Sequence, residues 1–318
     1  MSEYITHMAV NDDCRNLALY ADTTLPEIKI SLQEHLRASQ LGAVTSKGDR
    51  HTIDLLVESK KDWPSRTAKR MLAFFFGWRS HIAADRQLKT LFRLLEPEVY
   101  LTEEVDGPTS ISIYHDLFVL RELYSSEAIN PFVDNMLAAN HSSRNIQQLF
   151  VGLWQNSLLR LHAFTAQDSQ PESWFEQFLS DRQKFYDDVE RYVEAFNNLD
   201  NSKMKYVVQT HRFYNPQDPL IRLTRSLRQG QPDRSIDLET ALQDAKEQSH
   251  YARALRRNWL YLQATSEFWT GKIDTAALQE RFEDADPHAD PEVFEVLEDP
   301  ERREELVELW HEQGGQEL

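Results

Sequence analysis

From Ser65 to Leu95 the chain runs without a proline and with a single glycine, and its apolar residues recur three and four apart. Met71, Leu72, Phe75, Trp78, Ile82, Leu88, Leu91 and Leu95 follow that spacing. It is the period of an α-helix and not the alternation of a strand, so one long helix is predicted, closed by Pro97. Gly77, in its interior, costs about 1 kcal/mol relative to alanine and predicts that another helix approaches closely there. The same spacing recurs along most of the chain. Further helices are predicted over 11–21, from Pro26 to just before Gly42, from Asp49 or Arg50 to Lys61, and from just after Ser110 to Tyr124. Downstream they are predicted over 131–139, 143–166, 171–198, 218–229, 236–269, 274–284 and 301–312. GAVTSKGDR, from Gly42 to Arg50, reads as a loop. Only 9 glycines occur in 318 residues, too few for the tight turns of a β-sandwich or a glycine-looped nucleotide fold. The predicted class is all-α: a multi-helix bundle over 1–130, additional C-terminal helices over 131–285 packed on it, and an acidic tail with a short helix over 286–318.

Charge is placed unevenly. The formal net charge is −17, and residues 283–318, with 14 Asp or Glu and 2 Arg, carry −12 of it. The rest is mildly acidic and offers no broad basic field to a nucleic acid, although Arg222, Arg225, Arg228, Arg256 and Arg257 form local patches. The tail reads as a solvated appendage, or as a docking helix for a basic protein partner or a flap over a site in the same chain. A single cysteine, Cys14, excludes an internal disulfide and a zinc ribbon. A metal must therefore be held by histidine and carboxylate. The longest apolar run, Met71 to Trp78, is far short of a membrane span. With no secretion-signal pattern at the start, a cytoplasmic protein is expected.

Within the long helix, His81 and Asp85 stand four apart, hence on one face and close enough to share an ion or a hydrogen bond. Taken alone, such a pair also fits a simple helix-surface contact. Its setting, AFFFGWRSHIAAD, is unusually apolar, and burying an imidazole and a carboxylate there is costly unless each is paired or bound to an ion. Imidazole and carboxylate suit zinc, with at least one more protein ligand supplied from elsewhere.

Gly77, His81 and Asp85 form the pattern G-x-x-x-H-x-x-x-D, which resembles the buried helix of the zinc-dependent phospholipase C family. Asp49 and His51, after the Leu41-Gly42-Ala43 turn, resemble that family's upstream ligands, and His7 its early histidine. The resemblance covers residues 5–125 and implies a helical fold with a metal-binding region over 1–130. It also implies zinc ligation by His81 and Asp85, with Asp49 and His51 completing the site and His7 and His115 as further ligands. In that family water activated by metal attacks a phosphodiester, and the implied activity is hydrolysis of a phosphate ester, with Asp49 and Asp85 in the reaction centre. The chain departs from the family at Leu91, where members carry histidine. It departs again at Val119, four residues after His115, where they carry glutamate; Glu122 is the nearest substitute.

Two other readings stand beside this one. His115-Asp116 resembles the HD-domain phosphohydrolases, with His81 as the earlier ligand and Asp181, Asp187 or Asp188 as the later one. The second is a non-catalytic helical interaction protein with a degenerate metal site. His162 reads as a core or surface imidazole and His211 as a loop residue facing a cleft. His250 shares a helix face with Arg253 and Arg257.

Overall fold

The computed structural model describes residues 4–43, 49–95, 110–119, 122–123, 208 and 212–284. Within its helices the side chains of 4, 41, 49–52, 89–95, 110–112 and 283–284 are not described. These residues form ten α-helices and no strand, so the described part of the chain is all-α as its periodicity predicts. In order they are α1 (Tyr4–Tyr20), α2 (Pro26–Glu34), α3 (Leu36–Ala43), α4 (Asp49–Lys61), α5 (Arg66–Leu95), α6 (Ser110–Val119), α7 (Pro219–Arg228), α8 (Leu238–Asp244), α9 (His250–Trp269) and α10 (Thr275–Asp284). None is long and apolar enough to cross a membrane. The helices predicted over 131–139, 143–166, 171–198 and 301–312 lie outside the described residues.

α5 is the axis around which α1, α2, α3, α4 and α9 pack. A helix apolar on every side has to be enclosed, and Phe74, Phe75 and Phe76, three successive residues pointing in three directions, are all buried. Phe74 packs with Ala38 of α3, while Phe75 and Phe76 join the main core with Ile28, Leu32, Leu72 and Leu262. Gly77 meets α3 as its position predicts: a Cβ there would lie 1.8 Å from the Ser39 carbonyl oxygen, and one at Gly42 2.2 Å from that of Phe74. The two backbones touch. Gly42 therefore sits inside α3 and does not terminate it.

Three predicted boundaries are corrected. α1 begins seven residues before the Asn11-Asp12-Asp13 run, whose members are interior ties and not a cap. Buried Asn11 accepts from Ser39 Oγ at 2.7 Å, and Asp13 is paired with Arg228 and Tyr251. The helix predicted from Pro26 breaks at His35 (φ −131°, ψ 44°) into α2 and α3. The helix predicted over 236–269 divides into α8, a 3-10 turn (Ala245–Glu247) and α9. Ser249 caps α9 with its side chain, while its own N–H and hydroxyl donate to buried Asp218 at 3.0 and 2.6 Å.

Candidate metal centre

His7 lies in the first turn of α1, and that turn is anchored from α6. The Asp116 carboxylate accepts hydrogen bonds from Ile5 N (3.1 Å), Thr6 N (2.7 Å) and Thr6 Oγ1 (2.7 Å). The first N–H groups of a helix have no partner within it, and here an aspartate 110 residues away in sequence satisfies two of them. On α5, His81 and Asp85 are one turn apart and face α1. His7 Nε2 lies 3.0 Å from Asp85 Oδ1, and His81 Nε2 lies 3.5 Å from Asp85 Oδ2. The two imidazoles stack at 4.3 Å with a 26° interplanar angle, and Trp78, three residues before His81, stacks against it at 5.5 Å.

The remaining nitrogen of His81 is committed elsewhere. Its Nδ1 is 2.9 Å from the Ala43 carbonyl at the end of α3. A carbonyl only accepts, so Nδ1 donates its proton there, and Nε2 is the nitrogen that faces Asp85 and His7. This is the outer hydrogen bond characteristic of metal-ligating histidines. Burial pushes the Asp85 carboxyl up, but the charge of His81 and hydrogen bonds with both imidazoles outweigh it. Together they hold the group well below the ordinary carboxylate range. Side-chain exposure is 2% for His7, 6% for His81 and 17% for Asp85, so the group meets solvent along its carboxylate edge.

One donor atom from each of His7, His81 and Asp85 lies within 4.8 Å of the others. Ligands about 2.0–2.2 Å from a tetrahedral zinc stand roughly 3.3–3.5 Å apart, near the 3.0 and 3.5 Å that separate the two imidazole nitrogens from the Asp85 oxygens. Two imidazole nitrogens and one carboxylate oxygen form a donor set that zinc accepts with a fourth position open. This is the one such convergence among the described residues.

The other predicted ligands fall differently. Asp49 and His51 lie in the first turn of α4, and their side chains are outside the described residues. His115 is fully buried in α6 and stacked on Phe213 at 3.7 Å; it is not a member of the converging group. Glu122 pairs with Arg225 at 2.7 Å. Asp116, which the HD arrangement requires as a ligand, spends its oxygens on the start of α1. His250 accepts from Gln87 Nε2 at its Nδ1, 3.0 Å away, and His162 and His211 lie outside the described residues. Sequence reasoning missed the Ala43 carbonyl and the Trp78 ring. Trp78 was legible as the residue one helical turn before His81, whereas a backbone acceptor leaves no trace in residue identity. Comparison with family models, curated proteins and solved structures gives no match.

Proposed function

We propose that this chain is a zinc-dependent hydrolase of a phosphate ester, with His7, His81 and Asp85 holding the cation. The observation that carries the reading is the convergence of these three donors from two helices, with His81 turned so that its Nε2 faces inward. Two neutral imidazoles and one carboxylate leave a divalent ion with net positive charge, which suits an anionic phosphoryl group. Zinc bound there would polarise a phosphoryl oxygen and activate water. Asp85 contributes one oxygen towards each imidazole and keeps both rings in register. The enclosing apolar side chains of α1 and α5 exclude bulk water behind the rings. The resemblance of Gly77, His81 and Asp85 to zinc-dependent phospholipase C supports phosphodiesters as the substrate class, with Asp49 and His51 as further ligands from α4.

The test is zinc analysis of the purified full chain, followed by hydrolysis of bis(p-nitrophenyl) phosphate with zinc removed and restored. One zinc or more per chain in wild type is expected, lost in His81→Ala and in Asp85→Ala, with hydrolysis lost in parallel. A wild-type protein that takes up no zinc overturns the reading. The depth of both imidazoles favours a second reading, an interaction protein in which the cation only clamps α1 to α5. Zinc that raises Tm without supporting hydrolysis would select it.

A further inference from the structure

A cavity of about 490 Å³ opens where the turn between α1 and α2 meets α8, α9 and α10, and none of His7, His81 and Asp85 lines it. Its volume is that of a small-molecule site. The inner wall holds Thr24 and Trp259, each 5% exposed, and Leu262, 4% exposed. The outer wall carries Glu239 of α8, Gln263 and Glu267 of α9 and Arg281 of α10. Trp259, Gln263 and Glu267 recur four residues apart, so one stripe of α9 supplies an indole, an amide and a carboxylate to the same space.

Two atoms of the inner wall stand out. Thr24 Oγ1 and Trp259 Nε1 are buried and have no hydrogen-bond partner. Folded proteins rarely leave such groups unpaired, and here both belong to residues that border one cavity. The indole N–H only donates and requires an acceptor, whereas the carboxylates of Glu239 and Glu267 only accept and require donors. That combination excludes several kinds of ligand. An apolar molecule satisfies neither set. A simple ammonium or guanidinium brings donors alone and leaves Trp259 Nε1 unmet. An anion brings acceptors alone and is repelled by Glu239, because Arg281 is already engaged by Glu267 at 3.7 Å. A hydroxyl donates and accepts at one atom, so a ring carrying several of them serves both sets at once, and the Gln263 amide can meet it either way.

We propose that this cavity binds a neutral polyol, a sugar or cyclitol, whose oxygens accept from Trp259 Nε1 and Thr24 Oγ1 and whose hydroxyl protons go to Glu239 and Glu267. Leu262 gives the C–H face of the ring an apolar seat. Both inner atoms are sealed from water, so seating the ligand includes a small shift of the inner wall. The site shares no residue with the metal centre and does not depend on that reading.

The experiment uses the full chain labelled with ¹⁵N at tryptophan. Its seven tryptophans give separate indole N–H signals, and that of Trp259 is the one lost in Trp259→Phe. D-Glucose, maltose and myo-inositol are titrated in turn, with putrescine, 3-phenylpropionate and N-acetylglycinamide as cation, anion and amide probes. At least one polyol is expected to move the Trp259 signal saturably and downfield as its N–H gains an acceptor. The Kd should lie in the millimolar range open to a ligand of so few atoms, and the remaining indole signals should stay in place. Glu239→Ala and Gln263→Ala change exposed side chains and decide the matter even if Trp259→Phe does not fold. Each should weaken the same Kd by about 3–10-fold, roughly the worth of one hydrogen bond. Silence of every indole signal towards all three polyols overturns the proposal. So does a Trp259 signal that stays while another moves, tighter binding of putrescine, 3-phenylpropionate or N-acetylglycinamide than of any polyol, or a polyol Kd unchanged in both variants.

Discussion

Cys14 lies on α1, 4% exposed, with its sulfur 3.9 Å from the Leu255 carbonyl of α9. Burial pushes its thiol well above the ordinary range, and the neighbouring charge of Asp13 adds to the shift. A protonated, enclosed thiol is a poor nucleophile. Iodoacetamide should therefore label the native chain slowly and the denatured chain fast, and because Cys14 is the only cysteine the label reports one place. The folded state binds this proton more tightly than the unfolded state. Its contribution is accordingly complete below the ordinary thiol range and is lost as pH rises through and beyond it. Urea unfolding should show stability falling on that alkaline limb, and Cys14→Ala should flatten it. At this scale sequence and structure agree on His81 and Asp85, because two residues four apart on a helix share a face whatever surrounds them. His7 joins them across 78 intervening positions, a distance that no local pattern encodes.

Helices extend as far as their ends can be satisfied, and α1 shows what that means for a functional side chain. Its first turn is held by Asp116 through three hydrogen bonds, so His7 stands on an anchored turn and not on a fraying one. Asp116→Ala should cost about 1–2 kcal/mol, the upper part of the range for a lost helix cap, read as a lower urea midpoint with unchanged slope. On the zinc-binding proposal, zinc affinity should fall with it, although Asp116 is not one of the three converging donors. The bounds of α4, α5, α7 and α10 were legible to within a residue, since each is delimited by local signals such as Pro64 before α5, Pro219 at the start of α7 and Asp274 before α10. The start of α1 and the break before α9 were not. In each case a distant aspartate, Asp116 or Asp218, makes hydrogen bonds that decide the boundary.

Across the whole molecule, Asp13 ties three helices together. Its carboxylate is fully buried and is shared by Arg228 of α7, which also reaches the Ala9 carbonyl at 3.2 Å, and by the Tyr251 hydroxyl of α9 at 2.8 Å. Removing one member of a buried pair leaves the other charge without compensation, typically at about 3–5 kcal/mol. Asp13→Ala should therefore destabilise far more than Asp116→Ala in the same urea titration, whereas Asp13→Leu combined with Arg228→Met should recover much of the loss. The helical class was readable from apolar period and scarce glycine. The arrangement was not, because ties such as Asp13 to Arg228 span 215 positions and depend on folding that residue identity alone does not encode.

The uneven sealing of the three-residue group has a kinetic corollary. With both imidazoles nearly shut in and Asp85 the most exposed of the three, a cation held there as proposed would exchange past the side of Asp85. Chelators of equal affinity would then strip the ion at rates ordered by their bulk, so that a slender scavenger empties the chamber while a large one waits for the helices to breathe.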